Sequence, residues 1–230
     1  MPTAAIIPAS GIGVRFGEAK QFKLLGNKPL LIHTLSPFLQ SKEIKEIVIV
    51  VSSDKLSITK KTISSLPKKA NIKLVSGGPH RQDSVYEGLK AVSDLCGLVC
   101  IHDGVRPFLS TELIESTSKA CEKVDGAVAA VKSTDTVKLV TGNTVQKTVN
   151  RDQIWLAQTP QTFNKQKLDK AFLFAKQNHF YGTDESMIME KMGYSIAIVK
   201  GSNQNIKITT PTDLICATAI LNSRFPKKNS

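Results

Sequence analysis

The sequence has no long hydrophobic run. No apolar stretch approaches the roughly 18 residues that span a membrane, and no charged segment with a hydrophobic h-region precedes the first apolar stretch. We therefore expect a soluble, cytoplasmic protein without a membrane partner.

Cysteine is scarce, and its spacing does not favour a metal site. The chain has four cysteines, at Cys96, Cys100, Cys121 and Cys216. They form no C-x-x-C pair, and no histidine lies at zinc-ligand spacing from them. Because two of them sit inside apolar runs, we expect buried free thiols rather than a zinc site.

Acidic residues are outnumbered. The chain has 31 Lys and Arg against 19 Asp and Glu, which gives a formal net charge of +12. Such a charge makes nucleic-acid binding one class of function to consider. The lysines are nevertheless scattered or paired, and no basic run is interleaved with aromatic residues. A solvated, lysine-rich surface is the better interpretation, and we expect no nucleic-acid partner.

Arginine is rare among the basic residues. Where lysine supplies most of the charge, an arginine indicates a position that needs a planar, permanently charged fork for phosphate or carboxylate. Four of the arginines lie beside loop-like stretches of small and polar residues, which favours anion binding. The five arginines are Arg15, Arg81, Arg106, Arg151 and Arg224.

Apolar runs alternate with helical patterns along the chain. At 230 residues and 41% hydrophobic, the chain is long enough for one full core, so we expect a single domain over residues 1–230. Ser84 and Glu87 have capping-box spacing at the start of one helix. The alternation predicts an α/β fold with a Rossmann-like, mostly parallel sheet flanked by helices. Strands are predicted at 4–7, 46–51, 72–75, 98–101, 126–132 and 195–199, and helices at 30–39, 55–66, 84–93, 111–123, 165–176, 185–192 and 211–221.

One segment breaks this rhythm. Residues 136–140 and 144–149 alternate apolar and polar side chains around Thr141-Gly142-Asn143, which predicts a β-hairpin. An isolated two-stranded ribbon is marginally stable in water. We therefore expect this β-arm, residues 136–151, to pack on a second subunit and to make the protein a homodimer.

A loop of small residues follows the first predicted strand. Ser10, Gly11 and Gly13 leave backbone N–H groups open to an anion, and Arg15 and Lys20 supply cations where a polyphosphate would sit. The spacing matches neither the dinucleotide fingerprint G-x-G-x-x-G nor the P-loop G-x-x-x-x-G-K-[ST]. We interpret this loop as a nucleotide site of another kind. The plain alternative is a strand-to-helix turn with two unrelated cations.

Three loops are expected to meet. In open α/β sheets ligands bind beyond the carboxyl ends of the strands, here after Ile7, Val75 and Ile101. A shared crevice would contain Arg81, Asp103 and Arg106 together with the first loop. Asp103, an acid among cations, suits a ribose hydroxyl or a Mg²⁺ ion. The alternative for Asp103 and Arg106 is an ordinary salt bridge that closes a turn.

An ordered set of motifs runs from about residue 4 to residue 221: Pro8-Ala9-Ser10-Gly11-x-Gly13-x-Arg15 with Lys20-Gln21; Gly77-Gly78 with Arg81 and Asp83-Ser84-Val85; His102-Asp103-x-x-Arg106-Pro107; Asp135-Thr136; Arg151; Thr159-Pro160-Gln161; Thr183-Asp184-Glu185; and Asn205-Ile206-Lys207-Ile208-Thr209. This set resembles the 2-C-methyl-D-erythritol 4-phosphate cytidylyltransferase family of the non-mevalonate isoprenoid pathway. The chain departs from the family at Ala19, where proline is usual, and at Gly104-Val105, where Ala-Ala is commoner. Neither departure removes a charged group.

The resemblance implies a nucleotidyltransferase that moves CMP from CTP to methylerythritol phosphate and releases pyrophosphate, with Mg²⁺ or another divalent cation. Ribitol-5-phosphate cytidylyltransferase shares much of the loop set and stays open as an alternative. The family implies a role at the reacting phosphates for Arg15, Lys20 and Lys207. It implies contacts with CTP for Ala9, Ser10, Gly11, Gly13, Gly78, Ser84 and Asp103, and contacts with the acceptor or its surroundings for Asp103, Arg106, Thr136, Arg151 and Thr159, with Asp103 also near the metal.

Overall fold

Strands and helices alternate along the chain as the apolar runs predict. The computed structural model describes residues 1–11, 19–67 and 71–224, so the predicted site residues Gly13 and Arg15 and the basic tail at 225–230 lie outside it. The strands are β1 (Thr3–Pro8), β2 (Leu24–Leu25), β3 (Lys28–Pro29), β4 (Ile44–Val51), β5 (Ile72–Ser76), β6 (Leu98–Ile101), β7 (Gly126–Lys132), β8 (Val137–Thr141), β9 (Thr144–Val149), β10 (Trp155–Asn164) and β11 (Ile196–Lys200). The α-helices are α1 (Leu30–Gln40), α2 (Leu56–Ile63), α3 (Arg81–Lys90), α4 (Thr111–Ala120), α5 (Lys165–Gln177), α6 (Glu185–Lys191) and α7 (Pro211–Arg224).

A mixed sheet organises the described part of the chain. The sheet has seven strands, which are hydrogen-bonded to their neighbours in the order β11-β7-β10-β6-β1-β4-β5. The pairs β1–β4, β1–β6, β4–β5 and β7–β11 are parallel, whereas β10 runs antiparallel between β6 and β7. The predicted Rossmann-like, mostly parallel α/β sheet is confirmed.

Strand β1 shows why the apolar runs are continuous. Its side chains point alternately to the two faces of the sheet, and both faces are covered by helices. Ala4 and Ile6 pack on the side of α3 and α5, and Ala5 and Ile7 pack on the side of α1 and α4. All four are fully buried, which leaves no solvent-facing position for a polar residue.

Strand β10 is the one strand of the seven-stranded sheet that the sequence did not predict. It contains Pro160, which has no N–H to donate to a ladder, and proline argues against a central strand. The pairing of β10 with β7 shifts register between Ala157 and Gln161, and its pairing with β6 begins only at Gln161. Pro160 therefore lies where neither neighbour needs its N–H.

The predicted start of α3 was wrong by three residues. The helix begins at Arg81 with His80 as its N-cap residue. The Asp83 carboxylate accepts a hydrogen bond from the His80 N–H at 3.1 Å, so the reciprocal cap forms four positions before the expected Ser84 and Glu87 pair. The Ser84 hydroxyl instead contacts the loop after β1.

The other helices follow the predicted pattern with shifted ends. Helix α1 runs through Pro37 to Gln40, α2 and α4 end about three residues early, and α7 extends to Arg224. Within the described ranges, no helix combines the length and apolarity that crossing a bilayer requires.

The cysteine prediction is largely confirmed. All four cysteines carry free thiols; Cys96, Cys100 and Cys121 are buried, and Cys216 is exposed.

The predicted hairpin is confirmed and stands apart from the main sheet. Strands β8 and β9 pair with each other as a separate two-stranded sheet, and Gly142 adopts a φ of 57° in the turn. Leu139, Val140 and Val145 are each about half exposed on this arm. The single chain thus leaves apolar side chains of the arm uncovered.

A buried chain of hydrogen bonds positions the loop after β6. The Nε2 of His102 lies 3.0 Å from the Arg106 carbonyl oxygen, which can only accept, so Nε2 carries the proton. The Thr159 hydroxyl oxygen accepts from the Asp103 N–H at 3.1 Å and lies 3.0 Å from His102 Nδ1. It therefore donates its proton to Nδ1. The network requires a neutral His102 and ties β10 to the loop that carries Asp103 and Arg106.

This network predicts a pH-dependent stability. Burial lowers the pKa of His102 from 6.5 to about 4. Between these values the unfolded chain binds a proton that the native chain does not, so the free energy of unfolding falls as the pH is lowered through this range. We expect a loss on the order of 3 kcal/mol from this group.

Denaturant unfolding between pH 7 and pH 4 would measure the effect. His102→Gln should lose the part of the pH dependence that His102 contributes, whereas His179→Asn, at an exposed position, should keep the wild-type dependence. Identical slopes for wild type and His102→Gln would contradict the assignment.

Candidate active site

The loops after β1, β5 and β6 border one cleft of about 360 Å³, the first cleft. The predicted convergence of these loops is confirmed, but Arg106, which was expected in the same crevice, lines a neighbouring cleft instead. The cleft contains every predicted phosphate and nucleotide residue in the described ranges except Ser84. Its lining residues are Pro8, Ala9, Ser10, Gly11, Lys20, Gln21, Gly78, Pro79, His80, Arg81, Asp103, Val105 and Lys207.

Ser84 lies behind the wall of the first cleft. It is fully buried, and its hydroxyl oxygen lies 2.8 Å from that of Ser10, 3.1 Å from the His80 carbonyl oxygen and 3.3 Å from the Gly78 carbonyl oxygen. Gly78 is packed so closely that a Cβ there would lie 2.5 Å from the Cβ of Asp83. Ser84 therefore fixes two loops of the cleft, and Gly78 lets the backbone itself form the surface.

The loops after β1 and β6 are in direct contact. The Gly104 N–H donates to the Pro8 carbonyl at 3.0 Å, and a Cβ on Gly104 would lie 2.8 Å from the Cβ of Ala9. The Gln21 side chain donates to the Ala9 carbonyl at 2.8 Å. The glycine at 104, where the resemblance leads one to expect alanine, thus gives this chain a closer approach between the loops.

Asp103 lies at the centre of a cluster of cations. Its Oδ1 accepts from Arg81 Nε at 3.2 Å, and its Oδ2 accepts from Lys207 Nζ at 2.9 Å and from Arg106 Nε at 3.4 Å. Burial acts to raise the pKa of Asp103, but the three cations outweigh it and hold this pKa well below its usual range. Asp103 is therefore an anion at neutral pH. The predicted alternative, a salt bridge between Asp103 and Arg106, is present as part of this larger cluster.

A second cleft of about 240 Å³ lies on the other side of this cluster. Both clefts are lined by Arg81, Asp103 and Lys207. Three of the predicted acceptor residues, Asp103, Arg106 and Thr159, line the second cleft. Its remaining lining residues are Ala157, Gln158, Gln161, Thr183 and Asp184.

Thr136 and Arg151 line neither cleft within the described part of one chain. Both are exposed at the base of the hairpin arm. Arg151 donates from Nη1 to the Thr134 carbonyl at 2.9 Å, which joins the two legs of the arm. Their predicted contact with the acceptor stays a prediction.

The structure adds Glu185 and Asn205 to the site. Glu185 is buried, and its Oε1 accepts from Arg81 Nη1 at 2.6 Å. Burial raises the pKa of Glu185, while Arg81 draws it down; because a guanidinium stays charged at this short distance, we take the pair as ionised at neutral pH. The side-chain amide of Asn205 donates to the Thr159 main-chain carbonyl at 2.7 Å, and the main-chain carbonyl of Asn205 accepts from Arg106 Nη1 at 2.7 Å. Both residues belong to motifs of the resemblance, which is the signal that could have found them.

A magnesium ion fits this site in one specific way. Asp103 supplies the only carboxylate among the residues described as lining the first cleft, and both of its oxygens already accept from cations. No group of three or more His, Cys, Asp or Glu residues in the described ranges is arranged to hold a metal. Mg²⁺ is commonly bound by one or two carboxylates plus substrate phosphates. The residues therefore fit an ion held mainly by a polyphosphate.

A cavity larger than the first cleft lies elsewhere, between α3 and α5. It measures about 490 Å³ and has Tyr86, Phe172 and Phe180 in its lining. Its charged residues are of both signs, Asp83 and Glu87 with Lys90 and Lys176. A polyanion would be better held in the first cleft, because Lys20, Arg81 and Lys207 converge there.

Comparison with known proteins assigns a family to this geometry. The family model described as 2-C-methyl-D-erythritol 4-phosphate cytidylyltransferase matches residues 3–223. A relative of that name from Clostridioides difficile is 40% identical over 221 residues, covering 95% of this chain and 93% of the relative. Another of that name from Halalkalibacterium halodurans is 42% identical over 223 residues, covering 96% and 97%.

A solved structure agrees with the sequence relatives. The 4-diphosphocytidyl-2C-methyl-D-erythritol synthase from Anaerococcus prevotii superimposes with a TM-score of 0.86 at 37% identity, over 96% of this chain and 98% of that one. The chain therefore belongs to the 2-C-methyl-D-erythritol 4-phosphate cytidylyltransferase family.

Proposed function

We propose that this chain transfers CMP from CTP to 2-C-methyl-D-erythritol 4-phosphate, giving 4-diphosphocytidyl-2-C-methyl-D-erythritol and pyrophosphate, in isoprenoid precursor synthesis. The names of the relatives support this acceptor over ribitol 5-phosphate. The observation that carries the proposal is that one charged cluster, Arg81, Asp103 and Lys207, faces two adjoining clefts. Two anionic substrates could thus meet across it. We also propose a cytoplasmic location, where CTP is made and used.

The reaction needs little covalent chemistry from the protein. An oxygen of the acceptor phosphate attacks the α-phosphorus of CTP and forms a new P–O bond, while the bond from that phosphorus to the β-phosphate breaks and its electron pair leaves with pyrophosphate. The nucleophile is already ionised, so no general base is required. The remaining barrier is the approach of two polyanions and the charge on the transferred group, which positioning and electrostatics can lower.

The described residues divide between the two substrates. We place the triphosphate in the first cleft, against the backbone of Ala9 to Gly11 and of Gly78, with Lys20 beside it. The acceptor phosphate enters the second cleft near Arg106 and Thr159. Lys207 faces both clefts and is suited to the reacting phosphates. By family resemblance, Gly13 and Arg15 join the triphosphate side.

We propose Mg²⁺ as the divalent cation, held mainly by the phosphates of CTP. When bound, it neutralises phosphate charge and orients the leaving group. Asp103 would contribute one carboxylate oxygen at most, because its other contacts hold Arg81, Arg106 and Lys207.

We further propose that the protein is a homodimer joined by the arm at residues 136–151, which extends a single nucleotidyltransferase domain. The half-exposed apolar residues Leu139, Val140 and Val145 supply a reason for the arm to be covered. Thr136 and Arg151 then reach the acceptor phosphate in the site of the other chain, which agrees with their absence from both clefts of their own chain as described.

Pyrophosphate release with CTP tests the function directly. We expect rapid release with methylerythritol phosphate and little with ribitol 5-phosphate. The reverse preference would overturn the proposed acceptor and leave the cytidylyltransferase class intact.

Loss of a loop cation should slow the reaction without unfolding the protein. We expect Lys20→Ala to lower kcat by about 10² to 10⁵, the range for removing a group that stabilises transition-state charge. Arg15→Ala should behave alike. Lys28→Ala, an exposed lysine of the nearby β3, is the matched control and should keep wild-type kcat. Near-normal kcat for Lys20→Ala would favour the plain strand-to-helix turn.

The first cleft should discriminate between nucleotides. We expect a higher kcat/KM for CTP than for UTP, because a site that pairs one polar base edge leaves buried groups unpaired with the other base. We propose that the Gly77-Gly78 backbone reads this edge; in support, Gly78 lines the cleft and its carbonyl accepts from the Ser84 hydroxyl at 3.3 Å. Ser84→Ala should reduce the ratio. Equal kcat/KM for the two nucleotides would point to a looser sugar nucleotidyltransferase.

Subunit mixing tests the shared site. Arg151→Ala and Lys20→Ala homodimers should both be nearly inactive. After they are refolded together, each mixed dimer has one intact site, and about a quarter of wild-type activity should return because half of the dimers are mixed.

Mixing Lys20→Ala with Lys207→Ala is the control, since both residues act in their own chain and no activity should return. Failure of the Arg151→Ala mixture to recover, or a monomer in sedimentation at assay concentration, would reject the shared site.

A further inference from the structure

We propose that Glu185 is a positioning residue for this reaction, which holds the Arg81 guanidinium against Asp103 so that the cation cluster between the clefts keeps one arrangement. The inference rests on the proposed cytidylyl transfer. Glu185 itself lines neither cleft, so it acts through Arg81 and not on a substrate.

Arg81 bridges two buried carboxylates. Its Nη1 donates to Glu185 Oε1 at 2.6 Å and its Nε donates to Asp103 Oδ1 at 3.2 Å. The two contacts use different edges of one planar group, which fixes the guanidinium in orientation as well as in position. Glu185 is the contact on the side away from the clefts.

Helix electrostatics alone do not explain Arg81 at this position. Arg81 is the first residue of α3, where the positive end of the helix dipole disfavours a cation. Glu185 is the first residue of α6, where the dipole favours an anion. The pair therefore joins two helix starts, and the carboxylates of Glu185 and Asp103 offset the unfavourable placement of Arg81.

The stability of the fold does not explain Glu185 well either. Glu185 is 1% exposed, and its Oε2 has no hydrogen-bond partner among the described residues. A buried charge with an unsatisfied oxygen costs free energy, and buried ion pairs are often replaceable by apolar groups without loss of stability. A role in orienting Arg81 accounts for a carboxylate at this position.

The charge balance of the cluster gives the expected consequence. Arg81, Arg106 and Lys207 face two carboxylates, Asp103 and Glu185. Without the charge of Glu185, the free edge of Arg81 turns to the other anions at the clefts, which are Asp103, Asp184 and the incoming phosphates. It then competes with Lys207 for Asp103, and Lys207 loses its alignment with both clefts. Cations still line both clefts, so we expect the affinity for each substrate to change less than kcat.

Glu185→Gln tests this with little change of shape. We expect kcat to fall roughly 10- to 100-fold, the size of effect that a small misplacement of catalytic groups produces, with KM for both substrates within about 3-fold of wild type. The matched control is Glu190→Gln, an exposed position on the same helix, which should keep wild-type kinetics. Thermal unfolding of each variant shows whether the loss comes from the site or from the fold.

A double-mutant cycle separates positioning from a structural role. If Glu185 acts through Arg81, Arg81→Gln combined with Glu185→Gln should be no slower than Arg81→Gln alone. This comparison also decides the matter if Glu185→Gln alone does not fold, because the double variant leaves neither charge of the pair uncompensated.

The inference would be overturned if the double variant lost kcat by the product of the two single-variant losses, or if Glu185→Gln kept wild-type kcat. Either result would leave the proposed function standing. A wild-type enzyme that released no pyrophosphate with either acceptor would overturn the proposed function first.

Discussion

The buried carboxylate of Asp103 is the interaction on which the site depends. It accepts hydrogen bonds from Arg81, Arg106 and Lys207, which come from three separate segments of the chain. At a separation of about 4 Å and an effective dielectric constant of about 20, two like charges repel by about 4 kcal/mol. Without an anion between them, the three cations would turn away from one another. Asp103 thus keeps positive charge concentrated between two clefts before any phosphate arrives.

The sheet order places this carboxylate where both substrates can reach it. Strand β6 ends at Asp103's loop and has the parallel strand β1 on one side and the antiparallel strand β10 on the other. The loop after β1 forms a wall of the first cleft, and Thr159 and Gln161 of β10 form a wall of the second. One loop therefore serves both clefts because its strand lies between the strands that border them. The His102 and Thr159 hydrogen bond keeps this loop in register with β10.

Sequence reasoning worked where a residue's role follows from its neighbours in the chain. Six strands of the seven-stranded sheet, the loop convergence and the hairpin were predicted correctly, since apolar runs and turn residues are local signals. The capping box at Ser84 was wrong because Ser, like His and Asp nearby, can satisfy several partners, and only packing against Ser10 decides which one it takes. Strand β10 was missed because Pro160 normally excludes a central strand, and the gap in pairing that accommodates it is a property of the whole sheet.

By itself, the sequence determined the alternation of strands and helices, the motifs that indicate the family, and the residue types at the strand ends. Each of these features depends on only a few neighbouring residues. Only the tertiary structure decided which charges became partners. Arg81 is separated by 22 residues from Asp103 and by 104 from Glu185, yet it bonds to both. No local pattern encodes contacts over such distances, since they depend on the order in which the strands assemble into the sheet. The same physical reason gives Glu185 its position: it is an ordinary helix-start carboxylate in the sequence, and the fold places it behind the cation that both clefts share.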